Sequence, residues 1–253
     1  MKIGVVIIFL SLTFFLEFLF PLFQARSKRM RHALINLTFG VFNAFLVGFL
    51  FSSLTVFISQ WSELNHFGLL HWMNASPLFS GCIAFILFDV WMYVWHRINH
   101  RVPFFWAFHR MHHTDLSVDS TTAFRFHTGE IVLSSLMRLA VIPLIGINLN
   151  VLMLYEICLQ PIIILHHSNL KIPENWDRAF RFLIVTPNMH RVHHSQIREE
   201  TNSNYASIFS LWDRLGKTFQ KRSEFKTLVF GLPEFTLKSS QSFFGMVKTP
   251  FFS

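Results

Sequence analysis

Four long apolar runs, separated by short polar stretches, set the outline of this chain. The first, Ile3 to Phe23, holds a single charge, Glu17, in roughly the 20 positions a helix needs to cross a hydrocarbon core. It reads as a retained span rather than a cleaved leader: it is too long and too aromatic, and no small-x-small site precedes the charged stretch after it. The second, Ile35 to Ser59, carries no charge, and the third, Leu78 to Trp95, carries only Asp89. The fourth, Ile131 to Leu165, is too long for one span. Pro143, Gly146, Asn148 and Asn150 punctuate its middle and predict a tight turn inside a helical hairpin, fully crossing or re-entrant. The expected fold class is all-α: an integral membrane helical bundle of about four spans, or its hairpin variant, with a cytoplasmic helical cap.

Basic residues set the expected orientation. Arg26, Lys28, Arg29 and Arg31 crowd the short loop after the first run, which places that loop in the cytoplasm. Trp61 to Pro77 contains no Lys or Arg and is expected outside. The third run then returns, and the hairpin begins and ends on the inner side, so the spans deliver all the histidine groups to one cytoplasmic face. Composition agrees. The chain is 52% hydrophobic with 32 Phe and 14% charged residues, against roughly 25% charged in average soluble chains. The Phe rings suit an apolar tunnel or ordinary lipid-facing packing. A net charge of +8 raises nucleic acid as a partner, but the basic residues flank apolar runs instead of forming a stripe, and anionic headgroups account for them. No nucleic acid is expected. Cys82 and Cys158 lie in apolar segments without a Cys-x-x-Cys, which excludes a disulfide frame and a thiolate zinc site. The chain divides into three stretches: N-terminal spans and loops over 1–79, a histidine-bearing domain over 80–219, and a C-terminal tail over 220–253.

The chemistry lies in the histidines. Eleven of the fourteen fall between His96 and His194, in spaced groups. His96 and His100 are four apart. His109, His112 and His113, and again His190, His193 and His194, repeat the pattern His-x-x-His-His. Residues three and four apart share a helix face, so each group can aim two or three imidazoles at one point. Imidazole is the commonest metal-binding side chain and suits Fe, Zn, Cu and Ni. The rings outnumber what one four-coordinate ion can use, and the natural reading is a two-metal centre. A purely structural account would need about eight packed imidazoles, each finding partners, with no carboxylates nearby to supply them. His127, standing alone, fits either a ligand or a hydrogen-bonded structural residue. His166 and His167 are adjacent on a helix and point in different directions.

Local signals place these groups on helices. Asp89, Tyr93, His96 and His100 form one stripe at the end of the third run, Pro103 stops that helix, and Thr186-Pro187 starts another just before His190. Asp89, an acid inside a span, either orients an imidazole through its second N–H or simply bonds a neighbouring hydroxyl. Glu130 and Asp213 are further candidates for the same orienting role, or for capping and surface roles. His32, His66 and His71 lie outside the histidine groups and are expected to leave metal binding alone.

The runs Asp89-Val-Trp-Met-Tyr-Val-Trp-His96-Arg-Ile-Asn-His100, Trp106-Ala-Phe-His109-Arg-Met-His112-His113, Phe124-Arg-Phe-His127-Thr-Gly-Glu130, His167-Ser-Asn-Leu170 and Thr186-Pro-Asn-Met-His190-Arg-Val-His193-His194 resemble the fatty acid hydroxylase/sterol desaturase superfamily. Asn204-Tyr205 followed by Trp212-Asp213-Arg214-Leu215 is similar to that family's closing motif. The resemblance covers about residues 80–219. Two positions depart from it: Thr128 stands where proline is frequent, and Ala206 where glycine usually follows Asn-Tyr.

The resemblance implies a membrane-bound non-haem di-iron oxygenase, with two iron ions as cofactor. It would hydroxylate or desaturate a lipid (fatty acyl, sterol-like or related) with O2 as co-substrate. The expected ligands are His96, His100, His109, His112, His113, His127, His167, His190, His193 and His194, with His166 able to exchange roles with His167. No catalytic side chain is assigned beyond the metal centre. No flavin, haem or ferredoxin motif occurs, so a separate donor of cytochrome b5, ferredoxin or flavoprotein type is expected. Two alternatives stand beside this reading. A membrane zinc-dependent hydrolase would need a glutamate base, and His-Glu-x-x-His is absent. A metal transporter would place its ligands near the bilayer midplane, whereas these lie past the span ends.

Overall fold

A computed structural model describes residues 2–24, 28–73 and 75–252. Among the described residues the chain is helical, and strand pairing is limited to isolated bridges such as Pro21 with Leu170. Arg26, part of the basic loop, lies outside the described residues.

Among the described residues, five helices are long and apolar enough to cross a membrane. These are α1 (Lys2–Leu19), α2 (Arg29–Leu64), α4 (Pro77–Arg101), α6 (Thr128–Ile145) and α7 (Leu149–His167), with a one-turn α3 (Leu69–Trp72) between α2 and α4. The fourth apolar run thus divides into two helices, as its turn signals predict. Gly146 ends α6 at φ 78°, a left-handed conformation that favours glycine, and Asn148 caps α7 by accepting from Val151 N at 3.0 Å. The 36 residues of α2 reach about 54 Å at 1.5 Å per residue. That exceeds a hydrocarbon core of about 30 Å, so α2 has turns to spare at its ends. Its outer face is greasy: Phe45 and Phe49 are 71% and 76% exposed.

The buried core between the helices is built from Phe88 of α4, Ile142 of α6 and Leu152, Tyr155 and Leu159 of α7, with Leu70 of α3 and Ile208. α2 lies against α6, and α1 against α7. Val102, extended at φ −95° and ψ 116°, separates α4 from α5 (Pro103–His113), because the residue before proline is pushed out of the helical region. The remaining helices are short: α8 (Glu174–Phe180), α9 (Pro187–His193), α10 (Arg198–Thr201), α11 (Leu211–Leu215) and α12 (Phe243–Val247). Thr186 caps α9 and Pro187 opens it, as the sequence predicts. The C-terminal segment folds back onto this layer. Met246 is fully buried against Phe39 and Met111, and Arg110 donates to the carbonyls of Thr249, at 2.7 Å, and Phe252.

Candidate metal centre

Nine imidazoles converge as two groups. His96, His100, His109, His113 and His193 form one, and His112, His167, His190 and His194 form the other, with the ligand atoms of each group within 4.8 Å of one another. Each His-x-x-His-His triplet serves both. In α5 the i, i+4 pair His109 and His113 joins the five-imidazole group and His112 the other. In α9 the assignment is exchanged: His190 joins the four-imidazole group with His194, and His193 the five-imidazole group. Helical spacing allows the split, since on the shared face i+3 and i+4 lie to opposite sides of i, and in both triplets the i, i+4 pair stays together. All of these rings are buried except His96 and His100 at the end of α4, which are half-buried.

The outward nitrogens are held by the protein. The Nδ1–H of His96 donates to the carbonyl of Tyr205 (2.8 Å), that of His193 to Ser203 (2.7 Å), that of His167 to Ile163 (2.8 Å) and that of His112 to Arg125 (3.3 Å). His109 Nδ1 donates to Glu130 Oε1 at 2.7 Å. A carbonyl oxygen can only accept, so these rings carry their proton on Nδ1 and present a bare lone pair at Nε2. The lone pairs face one another: His112 Nε2 and His167 Nε2 are 3.0 Å apart, with no proton available to either. Such a contact is repulsive unless a cation lies between the two. His190 Nε2 is 3.0 Å from His167 Nε2 and 3.2 Å from His194 Nε2, and His96 Nε2 and His193 Nε2 are buried with no hydrogen-bond partner among the described residues. With metal–nitrogen bonds of about 2.0–2.1 Å, adjacent ligands of a tetrahedron or octahedron stand about 2.8–3.4 Å apart. The residues fit a metal ion in each group.

Burial drives the same chemistry. It holds His112, His113, His190, His193 and His194 well below the ordinary histidine range, with neighbouring imidazoles adding to the effect. Neutral rings are the form that binds metal. Below pH of about 6.5 the unfolded chain binds protons that the folded one refuses, so unfolding gains as the pH falls. The melting temperature of the metal-free protein is expected to drop as the pH is lowered from 7.5 to 5, and less steeply once metal is added. A flat profile would contradict neutral, buried rings.

The other predicted site residues have separate fates. His127 joins neither group. Its Nδ1 accepts from Gly129 N at 2.9 Å, capping α6, and its Nε2–H donates to the carbonyl of Val247 at 3.1 Å. His166 stacks on His190, centroids 4.0 Å apart, next to the four-imidazole group. Glu130 does orient an imidazole. Asp89 does not: it accepts from Tyr155 Oη (2.6 Å), Trp212 Nε1 (2.7 Å) and Phe209 N (3.1 Å), tying α4 to α7 and to the loop before α11. Asp89→Asn turns one of those acceptors into a donor. It is expected to cost about 1–3 kcal/mol for each group left unpaired, seen as a lower melting temperature with the metal content of the folded protein intact. Asp213 acts one step further out, accepting from Tyr205 N at 2.7 Å and Ala206 N at 3.1 Å, and so fixes the peptide whose carbonyl holds His96. Asn204 sits at φ 50°, a conformation asparagine tolerates, and its side chain bonds Met189 O and Gln220 O.

Sequence reasoning passed over α2. Asn36 accepts from Arg125, and Asn43 bonds Phe126 O and Thr128 Oγ1; these hold the loop that supports His112. Polar residues at 32, 36 and 43, spaced four and seven apart in an apolar helix, are the signal that marked them.

Residues 81–218, more than half of the chain, match the fatty acid hydroxylase family. The chain belongs to that family. It is 28% identical over 211 residues to alkylglycerol monooxygenase of Homo sapiens, covering 81% of this chain and 44% of that protein. It is 25% identical over 181 residues to ornithine lipid hydroxylase OlsE of Rhizobium tropici, covering 71% and 53%. It is 23% identical over 169 residues to cholesterol 25-hydroxylase of Homo sapiens, covering 61% of each. The chain spans about half the length of the curated relatives it matches. No solved structure matches it. Fatty acid hydroxylase membership and five apolar helices together make this an integral membrane protein.

Proposed function

We propose that this fatty acid hydroxylase family member is a membrane-bound non-haem di-iron oxygenase that hydroxylates a lipid, using O2 and electrons from a separate donor. The observation that carries the proposal is the pair of unprotonated Nε2 atoms facing each other at 3.0 Å within an all-imidazole, two-group cluster. The relatives, named as an alkylglycerol monooxygenase, an ornithine lipid hydroxylase and a cholesterol 25-hydroxylase, support oxygenation of a lipid, and the all-imidazole donor set suits iron. Bound iron would supply the redox chemistry for placing one oxygen atom into a C–H bond. The protein's own part is to hold the rings in one tautomer through Glu130 and four backbone carbonyls, and to keep water from the seven deeply buried imidazoles. The zinc hydrolase reading has less support: His-Glu-x-x-His is absent, and Glu130 already accepts from His109 through Oε1.

The test is incubation of the iron-loaded protein with a chemical reductant, membrane lipids and heavy-isotope O2. A hydroxylated lipid carrying the heavy oxygen is expected; oxygen in the product derived from water contradicts the reading. We place the histidine site on the cytoplasmic side, in keeping with the basic loop after α1. In a chain with Cys82 and Cys158 replaced by serine, cysteines introduced at Asn65 and at Gln196 are expected to label from opposite sides of the membrane. Labelling from the same side overturns this orientation.

A further inference from the structure

The short helix α8 and the turn after it are inside out for a surface in water. Asp177 and Arg181 are buried and paired with each other, and Arg181 also donates to Glu174 Oε1 at 2.8 Å. The outward positions are apolar instead. Trp176, Phe180 and Leu183 follow one another at i, i+4 and i+7 and are all exposed, with Phe182 beside them at 78%. Surface helices of soluble proteins show the reverse pattern, apolar side inward. The patch continues onto α11. Ser210 N donates to the carbonyl of Leu183 at 3.1 Å, and Ser210 Oγ and Arg214 each donate to that of Arg181 at 2.7 Å. These bonds bring α11 alongside, with Leu211 and Leu215 exposed at i and i+4. A contiguous apolar surface of this kind marks an interaction face.

The fold fixes the depth at which this face sits. Val185 N donates to Ile208 O at 2.9 Å, and Ile184 bridges Phe209. Phe209 N donates to Asp89, and its ring lies by Phe85 of α4, centroids 6.2 Å apart. Asp89 stands six residues inside Trp95, the histidine end of α4's apolar run, which is about 9 Å at 1.5 Å per residue. Phe85 is one turn deeper. Residues 183–185 and 208–211 are therefore level with a membrane-spanning stretch of α4, not with its polar end. Their backbone suits that setting, where no water can satisfy it: the N–H groups of Leu183, Ile184, Val185, Phe209 and Ser210 all donate within the protein. Arg178 and Lys217 are exposed next to the apolar positions, as cations are at the level of anionic headgroups, and Trp176 suits the same boundary. We infer that α8, its following turn and α11 form a wedge sunk into the leaflet on the histidine side, with the lipid of that leaflet as its partner. A protein partner would have to reach hydrocarbon depth to cover Leu183 and Leu211, whereas lipid already surrounds α4 there. The inference rests on the membrane reading of the five helices and not on the metals.

The test uses the full chain with Cys82 and Cys158 replaced by serine, reconstituted in vesicles of phosphatidylcholine and phosphatidylglycerol. One nitroxide at a time is attached through Phe182→Cys, Leu211→Cys, Phe45→Cys or Lys226→Cys, all at exposed side chains. Relaxation of the label by O2, which concentrates in hydrocarbon, is compared with relaxation by a water-soluble nickel chelate. Phe45, on the outer face of α2, is the hydrocarbon reference, and Lys226, an exposed charge outside the patch, is the aqueous one. The O2-to-nickel ratio at Phe182 and at Leu211 is expected to exceed that at Lys226 several-fold and to approach that at Phe45. A ratio at either site equal to that at Lys226 puts the face in water and overturns the inference. Exclusion of both reagents puts it under protein, a second copy or another partner, and overturns it as well. A ratio at Phe45 no higher than at Lys226 overturns the membrane reading itself.

Discussion

Replacing His193 or His112 by alanine is expected to abolish turnover and to remove at least one metal ion from the purified protein. The two variants strike different groups. His193→Ala reduces the five-imidazole group to four, and its cavity faces Tyr205 and His96, with ring centroids 5.7 and 4.6 Å from His193. His112→Ala reduces the four-imidazole group to three and leaves His167 Nε2 without its 3.0 Å neighbour, so the larger loss of metal is expected there. His127→Ala is the control: both of its nitrogens bond backbone, and it is expected to keep both ions while fraying the start of α6. Metal per chain, measured across the three variants, checks the assignment. Full retention in His112→Ala and His193→Ala would mean that the site has been drawn around the wrong rings.

Glu130→Gln is expected to produce the largest effect of any substitution that leaves every ligand in place. Among the described residues, Glu130 is the one carboxylate bonded to an imidazole of the two groups, at 2.7 Å from His109 Nδ1, and it is 5% exposed. A carboxylate there fixes the tautomer and makes the ring a better donor, and loss of such partners typically costs about 10–100-fold in metal affinity or activity. Glutamine still accepts from Nδ1–H through its amide oxygen but removes the charge, so the variant separates orientation from electrostatics. The measurement is metal affinity by competition with a chelator, alongside turnover. Unchanged values for both would reduce Glu130 to a helix-capping neighbour of His127.

Much of this arrangement is legible in the sequence alone. The turn at Gly146, the break at Pro103 and the start of α9 at Thr186 arise from residues with narrow backbone preferences. The spacing of His-x-x-His-His is enough to aim imidazoles at common points. It does not show that each triplet serves both groups, because that depends on how α5 and α9 are turned against each other. Four of the five outward partners are backbone carbonyls, at Ile163, Arg125, Ser203 and Tyr205, which carry no side-chain signature. Asp89 misleads for a related reason: an acid on the histidine stripe looks like an imidazole partner, yet its own partners lie 66 to 123 residues away. His127 carries its own clue, a polar residue just before Thr-Gly-Glu at the start of an apolar helix, which is a capping position. Asn36 and Asn43 stand outside the motifs and so escape a motif-based reading, although they lie on a polar stripe of α2.

The most direct test of the two-metal account is an anomalous difference map at the iron edge from the iron-loaded protein. Two peaks are predicted, one ringed by His96, His100, His109, His113 and His193 and the other by His112, His167, His190 and His194. A single peak, or a peak coordinated by His127 in place of these rings, would contradict it.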